Sequence, residues 1–247
     1  MTDRFSCRYK FILVPMLGFL FFAIPGHAQA YLSTKPAGSR LPSGSACASL
    51  VKRGPAVEIR PENRQANNSR GFRGIRIAAA SPAYNAANAG RVDGNFTGTT
   101  EQILRWGACK WGFDENLIRA RAVVESWWYQ RTKGDRNTNP AVCRRIGKAA
   151  PCYETYGLLQ VRGTAHPGTY PHSERSTAFS VDYSNAWLRA CYEGAFSQWM
   201  GHGYRKGDLW GCVGAYFSGR WYDPGAQRYI ARIRQEVALQ RWKHPNF

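Results

Sequence analysis

Apolar and polar positions fall into a sustained helical rhythm only from residue 99 onward. Thr99 followed by Gln102 is a capping-box pattern, and Ile103, Leu104, Trp106 and Cys109 recur at helical spacing up to Gly112. Asp114 can cap a second helix, with Leu117, Ala120 and Val124 on one side and Ile118 and Ala122 adjoining them. After Ser126 come Trp127, Trp128 and Tyr129, then a polar loop containing Lys133-Gly134-Asp135 and Asn139-Pro140. Residues 153–179 mix Gly, Pro and His with short apolar runs, which predicts loops, short strands or single turns. Tyr183, Ala186, Trp187, Ala190, Cys191 and Gly194 return to helical spacing. A shorter helix is expected over Leu209 to Phe217. A last amphipathic one is marked by Ala226, Ile230, Ile233 and Val237, with Arg228, Arg232 and Arg234 outward. The pattern predicts a mainly α globule with a loop-rich insertion, and a cleft between insertion and helices.

Ahead of residue 99 the chain reads differently. Arg4, Arg8 and Lys10 precede an apolar run from Phe11 to Ile24, and Ala28-Gln29-Ala30 follows. This is the order of a secretory signal peptide, expected to span 1–30 with cleavage after Ala30. The apolar run is too short for a comfortable membrane span, and no later stretch is long enough for one, so no stable membrane insertion is expected after processing. An uncleaved anchor is the alternative. Residues 31–46 are rich in Pro, Gly and Ser and read as a linker. Residues 47–98 lack a sustained apolar period. Cys47 would be unusual in a free tail, so this stretch is read as an N-terminal extension docked on a main domain at 99–247.

Composition sharpens the compartment. Hydrophobic residues at 44% and aromatics at 14% argue for a folded chain. The net charge is +18; removing 1–30 takes away Arg4, Arg8, Lys10 and Asp3 and leaves +16. Such a charge favours an anionic partner. Nucleic acid fits an exported protein less well than a cell-wall polymer carrying carboxylates or phosphates, so no nucleic-acid partner is expected. Beyond the leader's Cys7 there are six cysteines, an even number that reads as three disulfides in an exported chain. Cys143 and Cys152 enclose a short segment and are paired. Cys47, Cys109, Cys191 and Cys212 leave three connectivities open. No C-x-x-C or H-x-x-x-H spacing suggests zinc, so no metal site is expected.

The candidate chemistry centres on Val123-Val124-Glu125-Ser126-Trp127. Glu125 is placed near the negative end of a helix, beside aromatics that would desolvate it, and both effects raise a carboxyl pKa. A raised pKa suits a general acid that protonates a leaving oxygen near neutral pH. The competing reading is a surface ion pair with Arg121, four residues earlier, which would lower it.

Glu-Ser at a helix end is followed by Tyr156-Gly157-Leu158-Leu159-Gln160-Val161, then Gly214-Ala215-Tyr216-Phe217-Ser218-Gly219, then the helix holding Tyr229-Ile230. This order resembles the soluble lytic transglycosylases and goose-type lysozymes over residues 99–240. In that family a helix ends in Glu-Ser, a G-L-M-Q-[IV] segment lines the cleft and an A-Y-N-x-G segment closes it. The resemblance implies a lysozyme-like α+β fold and a secreted or periplasmic enzyme, needing no cofactor, that acts on peptidoglycan as a monomer. It casts Glu125 as the catalytic acid/base, Ser126 as support for its loop, and Gly157 and Gln160 as cleft lining, with Gln160 bonding sugar. Tyr216 would hold the catalytic carboxyl. Leu159 replaces the family's Met, and Phe217 replaces its Asn, which puts sugar recognition in question.

A second carboxylate, as ordinary glycosidases use, does not announce itself. Asp182 is read as capping the next helix, Asp223 and Asp135 as turn residues, and Glu154 remains unassigned. The family's single-Glu mechanism, which closes a 1,6-anhydro ring on the muramoyl sugar, needs none. His166 and His172 read as part of a polar loop on the cleft rim. Three functions stay in play: a lytic transglycosylase, a non-catalytic wall-binding protein on the same fold, and a hydrolytic muramidase or chitin-type glycosidase.

Overall fold

The structure, a computed structural model, describes residues 31–52, 57–72, 74–196, 200 and 203–247. The leader expected at 1–30 lies outside the described residues. The helices are α1 (Gly44–Val51), α2 (Arg64–Asn67), α3 (Pro82–Asn88), α4 (Thr100–Trp111), α5 (Glu115–Ser126), α6 (Pro140–Arg144), α7 (His172–Arg175), α8 (Thr177–Tyr192), α9 (Leu209–Ser218) and α10 (Pro224–Leu239). Three short strands, β1 (Lys133–Asn137), β2 (Cys152–Tyr156) and β3 (Val161–Arg162), form one antiparallel sheet in that order. Lys133 lies opposite Tyr156, and Thr155 opposite Arg162. The chain is thus mainly α with a small sheet inserted between α5 and α8. Among the described residues no helix is long and apolar enough to cross a membrane.

Local chemistry sets the helix ends. The Thr99–Gln102 capping box closes with both of its bonds, and Gly112 ends α4 in the left-handed region at φ 67°. Asp114 accepts from the backbone N–H groups of Asn116 and Leu117 to start α5. Three carboxylates act differently from their sequence reading, the first being Asp135, which lies within β1 rather than in a turn. Asp223 is the N-cap of α10, accepting from Ala226 N–H at 2.7 Å, because Pro224 at the first helical position lets the turn run straight into helix. Asp182 caps nothing. α8 begins earlier, capped by Ser176, and buries Asp182 at mid-helix.

That buried Asp182 is the hub of the core. It accepts from Lys110 Nζ at 2.8 Å, Trp111 Nε1 at 2.6 Å, and the backbone N–H groups of Asp93 and Gly94 at 2.9 Å each. A charge out of water is tolerated only with such a full set of partners. Lys110, equally buried, also bonds Asp93 Oδ1 at 2.8 Å and lies 4.5 Å from the Trp106 ring centre. Around this hub α4 packs on α8, α5 and α1, while α10 packs on α5 and α9.

The N-terminal segment is held along its length. Glu58 Oε2 accepts from Thr100 N–H at 2.7 Å, Phe72 N–H donates to Asp93 O, Ala78 N–H to Tyr183 Oη, and Ser81 N–H to Ala195 O. Residues 31–46 do not behave as the spacer their composition suggests. Lys35 N–H donates to Gly112 O, and the buried Arg189 guanidinium donates to the carbonyls of Lys35 and Pro36. With no helix or strand to pair them, the carbonyls of Lys35 and Pro36 need donors, and a buried arginine supplies them. Three disulfides add covalent ties: Cys143–Cys152 as expected, Cys47–Cys109 joining α1 to α4, and Cys191–Cys212 joining α8 to α9.

Replacing Lys110 by Met is expected to destabilise the fold by about 3–5 kcal/mol, since it leaves the Asp182 charge buried without its cation. Urea denaturation at neutral pH measures it. A loss under ~1 kcal/mol would show that the ion pair is not the hub.

Candidate active site

The last turn of α5 delivers Glu125, and the chain then reverses abruptly. Trp127 and Trp128 both take left-handed backbone, at φ 53° and 64°. The reversal turns Trp128 into the core, where its Nε1–H donates to Arg119 O at 3.1 Å, and leaves Trp127 exposed beside Phe247. Ser126 fixes the turn from the other side, donating to Leu158 O at 2.8 Å. The Glu-Ser end and the 156–161 segment are therefore joined by one direct hydrogen bond.

Gly157 is forced. It sits at φ +82°, and a Cβ there would lie 2.1 Å from Ser173 O. Gln160 stands beside it in the cleft wall, but its amide is spent internally. Nε2 donates to Thr132 O and Gly157 O at 3.1 and 2.8 Å, and Oε1 accepts from Thr155 Oγ1 at 2.8 Å. Its role is to close the turn; both amide protons that would have bonded sugar are used.

Tyr216 also departs from its assigned part. Its hydroxyl donates to Leu159 O at 2.6 Å, bracing the same turn from α9. The tyrosine that holds the carboxyl is Tyr229 of α10, whose hydroxyl donates to Glu125 Oε1 in a short hydrogen bond. In the sequence Tyr229 stood beside Ile230 in the last helix of the family-like order, with no role assigned to it. Its partner depends on α10 packing across α5, which no local spacing reveals.

Arg121 does not make the surface pair with Glu125 that the i, i+4 spacing allows. It is fully buried, donating to Asn185 Oδ1 at 3.1 Å and Ser184 Oγ at 2.8 Å, with its guanidinium 4.6 Å from the Tyr216 ring centre. Its charge still acts on Glu125 at a distance. Burial is the largest influence on the Glu125 carboxyl and pushes its pKa up to about 7. The Tyr229 bond and the charges of Arg121 and Arg232 pull it down, and Asp135 adds a smaller upward push. Tyr229, pressed against this carboxyl, is itself raised well above the usual phenol range by burial.

Glu125 opens onto a cleft of about 590 Å³. Gly134 and Asp135 line it from the sheet, Gln160 from the turn before β3, Tyr216 and Phe217 from α9, and Ala78 and Ala79 from the N-terminal segment. His166 and Trp187 complete one side. Residues 47–98 therefore contribute a wall to the cleft, which sequence could not decide. Phe217 is exposed and lies flat on Tyr229, ring centres 4.9 Å apart and planes 8° apart. The apolar Phe217 ring thus covers the tyrosine that bonds the Glu125 carboxyl. Asp135 is exposed in the cleft and paired with Arg162 at 2.6 Å. A second recess of about 370 Å³, beside Arg232 and Arg241, also reaches Glu125. A larger cavity of about 730 Å³ lies at residues 38–43 and α3, and it contains none of the residues singled out above. Among the described residues no cluster of His, Cys, Asp or Glu could hold a metal.

No family model matches the chain, and neither a curated protein nor a solved structure matches it.

Two outcomes follow. Tyr229→Phe removes a bond that favours the ionised form, so the Glu125 carboxyl should titrate above its present value of about 7, read by carboxyl carbon NMR against pH. An unchanged or lower midpoint would contradict the assigned bond. Glu125→Gln should stabilise the protein with a definite pH dependence. The folded pKa lies above the unfolded one, so the cost of burying the charge is absent at pH 4 and grows as pH rises to about 7. The variant's gain in unfolding free energy should be near zero at about pH 4 and on the order of 3 kcal/mol at about pH 8.

Proposed function

We propose that the protein is an exported glycan-cleaving enzyme with a lysozyme-like fold, of the lytic transglycosylase type, and that Glu125 is its acid. The observation that carries this reading is a single carboxyl held near neutrality by burial at the floor of an open cleft. Near neutral pH such a group is protonated often enough to donate and ionised often enough to accept. It protonates the glycosidic oxygen as the C1–O bond breaks. The resulting carboxylate takes the proton of the muramoyl C6 hydroxyl as that oxygen bonds to C1, closing the 1,6-anhydro ring. No water enters the products, and Glu125 ends protonated as it began.

The surroundings support this assignment. The turn bearing Gly157 and Gln160 is braced by Ser126 and Tyr216, so the cleft wall opposite the acid is rigid before any ligand arrives. Three disulfides suit an oxidising compartment, and the net charge of +16 without residues 1–30 suits an anionic wall polymer. Hydrolysis is the second reading, favoured by one observation: Asp135 shares the cleft with Glu125 and could position a water.

Purified protein incubated with peptidoglycan should release fragments ending in anhydro-muramoyl sugar, identified by mass spectrometry. Glu125→Gln should reduce the rate by about 10²–10⁴-fold. The wild-type rate should fall as pH rises through about 7, where the acid loses its proton. Products heavier by one water would replace the transglycosylase with a muramidase and bring Asp135 forward. Wall binding without products from either protein would establish a binding function instead.

A further inference from the structure

The turn that follows Glu125 is strained, and a remote stretch of chain holds it. Trp127 and Trp128 both sit in the left-handed region, at φ 53° and 64°. Glycine enters this region freely and ends many helices; two tryptophans in succession stay there only where their surroundings fix them. On one side the turn bonds back to α5, with Trp127 N–H on Val123 O and Trp128 N–H on Ala122 O. On the other side its two carbonyls are taken by the N-terminal segment. Arg60 Nε–H donates to Trp127 O at 3.1 Å, and Asn63 Nδ2–H donates to Trp128 O at 2.7 Å. Asn63 Oδ1 also accepts from Gln130 N–H at 2.9 Å.

Both holding residues are themselves fixed. Glu58 accepts from Arg60 N–H at 2.7 Å through one carboxylate oxygen and from Thr100 N–H at 2.7 Å through the other, which ties the stretch to the first residue of α4. Pro61 starts a single 3-10 turn that ends at Asn63, and Asn63 Nδ2 also reaches Thr100 Oγ1 at 3.0 Å. The Arg60 guanidinium lies 4.7 Å from the Tyr129 ring centre and 4.3 Å from that of Phe247, and its Nη1 donates to Phe247 O at 2.7 Å. This arginine is 5% exposed, and its Nη2 is sealed from water with no hydrogen-bond partner among the described residues. An apolar side chain would fill the space without burying a charge. It would not supply a donor to the Trp127 carbonyl, so the arginine is explained by the turn and not by packing.

We propose that Arg60 and Asn63 are positioning residues for Glu125. From a segment remote in the chain they hold the Trp127 and Trp128 carbonyls, and so lock the end of α5 in the turn that aims the carboxyl at Tyr229 and the cleft. That the group so placed is a catalytic acid rests on the glycan reading given above; the placement itself does not. The groups facing Glu125 are Tyr229 and Arg232 of α10, Tyr216 of α9, Arg121 of α5 and Asp135 of β1, with Glu236 and Arg241 in the neighbouring recess. Arg60 acts on it through the backbone. Relaxing the turn lets water reach the carboxyl, which lowers its pKa, and stretches the Tyr229 bond, which raises it. Burial is the larger influence, so the net change is a fall. Loss of the Arg60 charge alone acts the other way, since removing a cation raises a carboxyl pKa. The sign of the change therefore separates placement from charge.

The test compares the purified protein with Arg60→Leu, Arg60→Lys and Asn63→Ala, and with Val51→Ala as a core substitution in α1. Carboxyl carbon NMR gives the Glu125 midpoint, and rates on peptidoglycan give kcat and KM against pH. In Arg60→Leu the midpoint should fall from about 7 to about 6, and the upper limb of the pH–rate profile should move with it. Its kcat should drop about tenfold with KM changed less than about twofold. Arg60→Lys, which keeps the charge and one donor, should recover part of both losses. Asn63→Ala should move the midpoint the same way, and Val51→Ala should lower stability and leave the midpoint unchanged. A midpoint that stays or rises in Arg60→Leu, or falls equally in Val51→Ala, would overturn the proposal. Should Arg60→Leu not fold, unchanged midpoints in both Arg60→Lys and Asn63→Ala would overturn it. Cleavage by the wild type with unmoved midpoints would leave the glycan reading standing without these positioning residues. Falling midpoints in a protein that cleaves no glycan would keep the placement and remove the glycan reading.

Discussion

A carboxylate with no access to water organises this molecule. Asp182 gathers donors from two separate stretches: Lys110 and Trp111 at the end of α4, and the backbone at residues 93 and 94. Because a buried charge is costly when any partner is missing, the α4–α8 packing and the path of the N-terminal segment are fixed by one requirement. The next residue along α8, Tyr183, holds the same segment again at Ala78. A stretch with no apolar period of its own is thereby made part of the core. The cleft wall it supplies at Ala78 and Ala79 is consequently anchored to a helix buried along nearly its whole length.

The candidate acid is the product of opposing influences. Burial alone would lift Glu125 further, and the Tyr229 bond with two distant arginines restrains it. The restraint matters, because a carboxyl that never ionises could donate a proton but not recover one. Arg121 contributes without touching the carboxyl. It is turned away toward Ser184 and Asn185 of α8, so its charge is felt while no ion pair locks the acid. The turn at 157–160 is likewise held by its own polar groups, which leaves the cleft surface to other residues.

Features set by local chemistry were legible in the sequence. The Thr99 capping box, the Asp114 cap, the Gly112 stop and the Cys143–Cys152 pair each depend on residues within about ten positions of one another, and each appears where it was read. Glu125 at a helix end was legible for the same reason. What escaped the sequence were contacts between elements remote in the chain. Tyr229 reaches Glu125 across 104 positions. Asp182 looked like a cap because an Asp just before an apolar period usually is one; here the helix began earlier, capped by Ser176, on a mixed stretch of polar and apolar residues that are all buried. Residues 31–46 carried the composition of a spacer, and only the partners waiting on α8 made it part of the globule. Periodicity reports which face of an element is apolar, and it is silent about which element that face will meet.

The flat stack of Phe217 on Tyr229 couples the cleft surface to the acid beneath it. Whatever covers the exposed ring also drives water from the neighbourhood of the Tyr229–Glu125 pair, and losing water favours the neutral carboxyl. An occupant that did so would draw a fraction of a proton onto Glu125. By reciprocity, a proton already resting on Glu125 tightens the grip on the occupant. Filling the cleft and protonating Glu125 would then be thermodynamically linked, with the aromatic ring at position 217 between them.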